Sequence, residues 1–208
     1  MRLILASSSP RRRAILALLG IPFEVVEPPF EERLSIGQPI EDEVLAFARG
    51  KARSVAQPLA DAITIGSDTM IGLNGEKFGK PADLDDARRM LHALCGKTHV
   101  IFTAVVLIAG RDGKGIETVE QVEVDMRPTS DTEIDRYLAR GESLDKAGAY
   151  SIQGAGAELI KAIRGDYLAA VGMPLKPIAN YLAGREVSFS FDVERLYREK
   201  SFLNWSRF

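Results

Sequence analysis

Two periods alternate along this chain, and together they predict its elements. Leu3-Ile4-Leu5-Ala6 reads as a short buried strand. It runs into Ser7-Ser8-Ser9-Pro10-Arg11-Arg12-Arg13 and then a helical segment with Ile15, Leu16, Leu18 and Leu19 on one side, stopped by Gly20. Ser9 suits the N-cap and Pro10 the first helical position. Residues 21–26 read as a second strand, followed by a loop, 27–33, rich in proline and carboxylates. Residues 41–57 have a helical period, with Val44, Leu45, Phe47, Ala48, Ala52 and Val55 as the apolar face. Lys51 and Arg53 are placed on its other faces.

Ala62-Ile63-Thr64-Ile65 reads as a buried strand that ends in Gly66-Ser67-Asp68-Thr69. Met70-Ile71-Gly72-Leu73 continues as a strand, and Asn74-Gly75 marks a type I′ hairpin. The return strand leads to Phe78-Gly79-Lys80-Pro81. A helix over 84–94 follows, capped by Asp83 and stopped by Gly96. Residues 99–109 form a long apolar strand, 110–115 a turn, and 116–126 a strand alternating apolar with acidic residues, so one of its faces is wet. Ser130 and Glu133 make a capping box for a helix over 131–140. A Gly/Ala-rich segment, 144–156, precedes a strand over 158–163, and Pro174 opens a last helix through Leu182. The pattern predicts an α/β fold: a mixed β-sheet flanked by helices, with two lobes around a cleft. Residues 1–184 read as one domain. The tail 185–208 is an extension with no legible role.

Bulk properties remove several function classes. The chain has 208 residues and a formal net charge of −2, so the three arginines are a local cluster and not part of a nucleic-acid surface. No apolar run has membrane-spanning length. The arginines follow the first apolar residues, the reverse of a signal-peptide layout. The single cysteine, Cys95, cannot form an intramolecular disulfide and reads as a small buried side chain. A cytoplasmic protein is expected.

The polar residues at the element ends carry the chemistry. A strand-to-helix turn with free N–H groups, Ser7, Ser9, Arg11 and Arg12 suits an anion. Asp68 stands where a buried strand is expected to end, a common place for a catalytic or metal-binding carboxylate. Glu31 and Glu32 offer hard oxygen ligands for Mg²⁺ or Mn²⁺. Lys80 is held between Gly79 and Pro81. If these meet, with Lys51, they form a kit for hydrolysing a phosphate anhydride. There is no Walker A sequence and no dinucleotide fingerprint. His92 and His99 lack zinc-ligand spacing.

These motifs resemble the Maf family of nucleoside triphosphate pyrophosphatases. Leu5-Ala6-Ser7-Ser8-Ser9-Pro10-Arg11-Arg12 is similar to its opening signature. Glu31-Glu32, Arg49-Gly50-Lys51-Ala52, Gly66-Ser67-Asp68-Thr69, Gly79-Lys80-Pro81, Gly96-Lys97-Thr98-His99, Asp145-Lys146-Ala147-Gly148-Ala149-Tyr150-Ser151-Ile152-Gln153-Gly154 and Gly165-Asp166-Tyr167 follow in the family's order. The resemblance implies an elongated mixed sheet like that of the inosine-triphosphate pyrophosphatases. It implies metal-dependent release of pyrophosphate from a nucleoside triphosphate. It also implies Asp68 as general base, and Arg11, Thr69 and Gln153 as determinants of base choice. Ser7, Ser9, Arg12, Lys51 and Lys80 are expected on the phosphates. A Mg²⁺ or Mn²⁺ ion is expected on Glu32 and Asp68, with Glu31 the lesser candidate. The Tyr150…Gln153 form resembles the branch preferring dTTP and UTP, and an amide can both donate to and accept from a uracil or thymine edge. Ser8 and Ser151 stand where the family has glycine. A small nucleotide is the expected partner, without a membrane or stable nucleic-acid complex, and a homodimer is compatible. The competing expectation is a nucleotide or nucleic-acid binding protein without turnover, linked to cell-division control.

Overall fold

The computed structural model describes residues 2–35, 37–56, 61–110 and 113–208. Its sheet has seven strands in the order β2-β1-β3-β5-β6-β7, with β4 also on β3. The strands are β1 (Arg2–Ala6), β2 (Glu24–Val26), β3 (Ala62–Leu73), β4 (Glu76–Phe78), β5 (Thr98–Ala109), β6 (Gly115–Met126) and β7 (Ile160–Arg164). β1 is parallel to β2 and β3, and the remaining pairs are antiparallel. The expected mixed α/β architecture is therefore present.

The helices are α1 (Pro10–Ala17), α2 (Ile40–Ala56), α3 (Leu84–Leu94), α4 (Asp131–Leu138), α5 (Tyr167–Val171), α6 (Leu175–Ala183) and α7 (Val193–Glu199). Gln57, expected to end the second helix, and Arg111 and Asp112, expected in a turn, lie outside the described residues. On one face of the sheet, Val44, Phe47, Ala48 and Ala52 of α2 pack on Met70, Ala104 and Val106. On the other, Ile15, Leu16, Leu91, Leu94, Leu168 and Ile178 join the larger core. Burial of these side chains holds the helices in place, at roughly 1.5–3 kcal/mol for each large one.

Gly66 lets α2 lie close to β3: a Cβ there would meet the Ala48 carbonyl oxygen at 2.3 Å. Gly50, on the helix, leaves room for the Phe30 ring, which a Cβ would strike at 2.1 Å. Phe30 also meets Phe47 edge-on, with centroids 5.9 Å apart. The carboxylate-bearing loop is thereby seated on α2.

Four expectations change. The helix that Pro174 opens is not the last, because α7 follows it within the tail. β3 does not stop at Gly66-Ser67-Asp68-Thr69. It runs unbroken to Leu73, because β5 pairs with it from Ile63 to Gly72. Lys51 is not on an outer face of α2. Its residue is 7% exposed and lies in the sheet-facing stripe, three and four residues after Ala48 and Phe47. Cys95 is half-buried at the end of α3, not enclosed within it.

The continuity of β3 locates the opening in the fold. One edge of β3 is taken by β5. On its other edge β1 pairs with residues 62–66 and β4 with residues 71–73. Residues 67–70 have no strand on that edge. The chain leaving β1 (Ser7–Pro10) and the chain leaving β4 (Gly79, Lys80) reach this gap from opposite ends.

Candidate active site

A cleft of about 350 Å³ occupies the gap. Arg11, Arg12, Glu32, Lys51, Asp68, Thr69, Lys80 and Gln153 all line it, as does Ser9. Glu31 does not: it is exposed and paired with Arg33 at 2.7 Å. Ser7 is buried beneath the turn, where its Oγ accepts from Ser9 N at 3.2 Å and Arg12 Nη1 at 3.5 Å. Arg13 is exposed.

The turn has the expected local form. Ser9 is the N-cap of α1, with its Oγ accepting from Arg12 N, and Pro10 is the first helical residue. A strand-exit serine bonding the next turn, followed by proline, fixes where the helix starts. The Arg12 side chain then crosses to α5. Its Nε donates to Gly172 O at 2.9 Å, and its Nη2 to Thr69 Oγ1 at 3.2 Å. Three of its five N–H donors are thus spent on protein, which orients the fork and leaves the others for the cleft. Desolvation lowers the Arg12 pKa, offset by Asp68.

Thr69 is more committed than its expected role required. Thr103 Oγ1 donates its proton to Ala169 O at 2.8 Å, so Thr69 must donate in the 3.1 Å bond between the two hydroxyls. With its proton on Thr103 and a lone pair on Arg12, Thr69 has only a methyl group and one lone pair to offer a ligand.

On the other face of β3, Lys51 Nζ lies 2.5 Å from Asp68 Oδ1 and also contacts Glu32 Oε1. Asp68 is 5% exposed. Burial raises its pKa above that of an ordinary aspartate, and Lys51 and Arg12 partly offset the rise. Glu32 moves the other way: desolvation pushes it up, but Lys51, Lys80 and Arg12 hold it below its usual value. Burial therefore keeps Asp68 basic, while the ammonium between the two carboxylates opposes that rise and holds Glu32 ionised.

A divalent cation is the remaining expectation here. No cluster of three or more metal-ligating His, Cys, Asp or Glu occurs among the described residues. The Lys51 contacts use Asp68 Oδ1 and Glu32 Oε1, so each carboxylate keeps its second oxygen outside them. Two carboxylate oxygens with phosphate and water oxygens are a usual donor set for Mg²⁺, so the residues fit.

The opposite wall is the segment 145–153. Arg11 Nη1 pairs with Asp145 Oδ2 at 3.0 Å and Nη2 donates to Asp145 O at 3.2 Å, joining α1 to that wall. Lys146 Nζ reaches Asp145 Oδ1 at 2.5 Å. Tyr150 is buried, with its hydroxyl 2.7 Å from His99 Nε2. Burial lowers the His99 pKa to about 4, so the ring is neutral at neutral pH. Gln153 Nε2 is buried without a hydrogen-bond partner. A buried amide donor without a partner is costly to the free protein, and the same side chain lines the cleft.

Sequence reasoning gave no role to Asp145 and Lys146, although both stand within the late motif. It also missed Glu43, which is 1% exposed, accepts from Ser35 N and pairs with Lys77, holding the far end of the Glu32 loop. A buried glutamate in a helix's first turn looks in sequence like an ordinary dipole partner.

Comparison with known proteins finds relatives over most of the chain. Residues 2–185 match the family described as Maf-like protein. The dTTP/UTP pyrophosphatase of Anaeromyxobacter dehalogenans is 44% identical over 196 residues, covering 93% of this chain and 98% of that protein. Its counterpart in Moorella thermoacetica is 42% identical over 88% of this chain and 94% of its own. That of Bacillus cereus is 39% identical, with 92% of each chain covered.

Proposed function

The chain belongs to the Maf family, and on that premise we propose that its cleft hydrolyses dTTP and UTP to the monophosphate and pyrophosphate. The observation that carries the reading is Lys51 Nζ between Asp68 and Glu32 on one side of the gap in β3, with Arg12 aimed into it from the other. Such a site both receives a polyphosphate and holds a buried base beside it. The names of the three relatives point to the same substrates.

In this mechanism Arg12 and Lys80 bind phosphate oxygens, and the α1 N-terminus adds its partial positive charge. Asp68 accepts a proton from the attacking water as its oxygen bonds the α-phosphorus. The bond from that phosphorus to the bridging oxygen breaks, and pyrophosphate leaves. Lys51 holds Asp68 in place and keeps it ionised despite burial. Gln153 donates from Nε2 to a pyrimidine carbonyl and accepts from N3–H, a pairing that cytosine cannot make in the same orientation. Glu32 and Asp68 would hold Mg²⁺ or Mn²⁺ through the oxygens outside the Lys51 contacts. When bound, the ion adds positive charge at the phosphate oxygens.

The test is pyrophosphate release over a panel of triphosphates, with Mg²⁺ and with chelator. Release from dTTP and UTP well above that from dCTP, dATP and dGTP, lost on chelation, is expected. Tight binding without release would turn the reading to a nucleotide sensor.

A further inference from the structure

Residues 186–208 lie beyond the family match, which ends at 185, yet they reach the site. Phe189, Phe191, Val193, Tyr197, Phe202 and Phe208 pack on the main core, and Leu196 and Trp205 are buried in it. Trp205 stacks on Tyr167 with centroids 5.2 Å apart and rings 12° from parallel, and Tyr197 meets it edge-on at 5.0 Å. Beside this anchor, Asn204 Nδ2 donates to Ile152 O at 3.2 Å and to Gln153 O at 2.9 Å. Among the described residues those two carbonyls take no other hydrogen bond.

Geometry gives these bonds a consequence. The Ile152 carbonyl belongs to the peptide plane entering Gln153, and the Gln153 carbonyl to the plane leaving it. Peptide planes are rigid, so holding both fixes φ and ψ at Gln153 and the direction of its Cα–Cβ bond. Neighbouring amides are already tied: Ser151 N donates to Tyr137 Oη at 2.9 Å, and Ala155 N to Glu142 Oε2 at 2.9 Å. The leaving plane is also tied at its amide, where Gly154 N donates to Ser151 Oγ at 3.1 Å, so Asn204 shares that plane with Ser151 and supplies the tie on the entering plane.

We propose that Asn204 is a positioning residue for Gln153, so that the C-terminal extension sets the base selectivity of the cleft. The inference rests on Gln153 reading the base, as proposed above. Asn204 is not among the residues that line the cleft. It acts by fixing the backbone from which the Gln153 side chain reaches the cleft wall.

The test uses the full chain with Asn204→Ala, and reads selectivity as the ratio of Kd values for the α,β-methylene analogues of dTTP and dCTP. Binding of analogues is measured whether or not the protein turns over dTTP, so failure of the hydrolytic reading is seen separately, in the release assay. Loss of two hydrogen bonds predicts a fall in that ratio of about three- to tenfold, with faster hydrogen exchange at residues 152–155. In a Gln153→Ala background, Asn204→Ala should change the ratio no further. Tyr197→Phe is the structural control. It removes the tail's 2.8 Å bond to Asp166, should lower the melting temperature, and should leave the ratio unchanged. A ratio within about twofold of wild type in Asn204→Ala overturns the proposal. So does an equal further loss in the Gln153→Ala background, or an equal loss in Tyr197→Phe.

Discussion

Asp68 and Thr69 are consecutive on β3 and project to opposite faces of the sheet. Asp68 meets Lys51 of α2, whereas Thr69 meets Arg12 and, through Thr103, the α5 carbonyl of Ala169. Strand alternation separates a buried base from an arginine cradle within two residues. Asp68→Asn therefore removes the proposed base and leaves the cradle. Pyrophosphate release from dTTP should fall by about 10²–10⁴-fold, with an unchanged circular dichroism spectrum and nucleotide affinity at least as tight as wild type. Retention of most of the activity would remove Asp68 from the chemistry.

The pH dependence follows from Asp68's surroundings. The carboxyl must be ionised to accept a proton, and burial raises its pKa. The rate is thus lost as pH falls through a value above the ordinary aspartate range. Lys51 lowers that value, so Lys51→Met should move the acid limb of kcat/KM to higher pH, by about one unit or more. A pH–rate profile checks this, and a limb that stays or moves down contradicts it.

Gln153→Ala removes an unpartnered buried donor and a side chain that lines the cleft. The kcat/KM preference for dTTP over dCTP should shrink by about tenfold or more, with a small change in kcat on dTTP. Unaltered preference with only a lower melting temperature would make Gln153 a structural residue.

Thr103→Val tests the hydroxyl chain behind Arg12. It removes the 2.8 Å bond to the Ala169 carbonyl, which keeps Gly172 N at 2.9 Å, and leaves the Thr69 hydroxyl without its acceptor. Urea unfolding should show a loss of about 1–3 kcal/mol. An unchanged midpoint would mean that Gly172 N satisfies the carbonyl by itself and the Thr69 hydroxyl finds another acceptor.

His99 supplies a stability test away from catalysis. Its pKa is about 4 in the fold against 6.5 for the free side chain. Between those values the unfolded chain binds more protons, so stability rises with pH and is lost as pH falls from about 6.5 towards 4. Over the step from pH 7.5 to pH 5, His99→Gln should escape a loss of about 2 kcal/mol that the wild type suffers. Parallel denaturation curves for the two proteins at both pH values provide the measurement.

Residues whose roles are local were readable in advance. Ser9 and Pro10 mark a helix start by fixed rules, and Asn74-Gly75 turns β3 into β4 with both residues at positive φ. Lys51 was misplaced because its polarity outweighed its spacing: positions 44, 47, 48, 51, 52 and 55 make one stripe, and the lysine lies within it. β3 seemed to break at Gly66–Thr69 because those residues lack strand character. Their pairing comes from β5, 34 to 40 positions on. The helix α5 spans five residues, too few for a period to register. Asn204 and Glu43 owe their roles to neighbours distant in the chain, and no spacing rule could have found them.

The break in pairing along one edge of β3 has a further consequence. The aperture is framed by main chain, so its width follows from how far β1 and β4 extend, and side-chain size adjusts only what lies inside. Zipping one more residue pair onto β1 would narrow the opening from one end as a slide fastener does. Point substitutions in the wall could retune the occupant while the frame kept its dimensions. Insertions or deletions at Ser7–Ser9 or Gly79 would alter the frame itself.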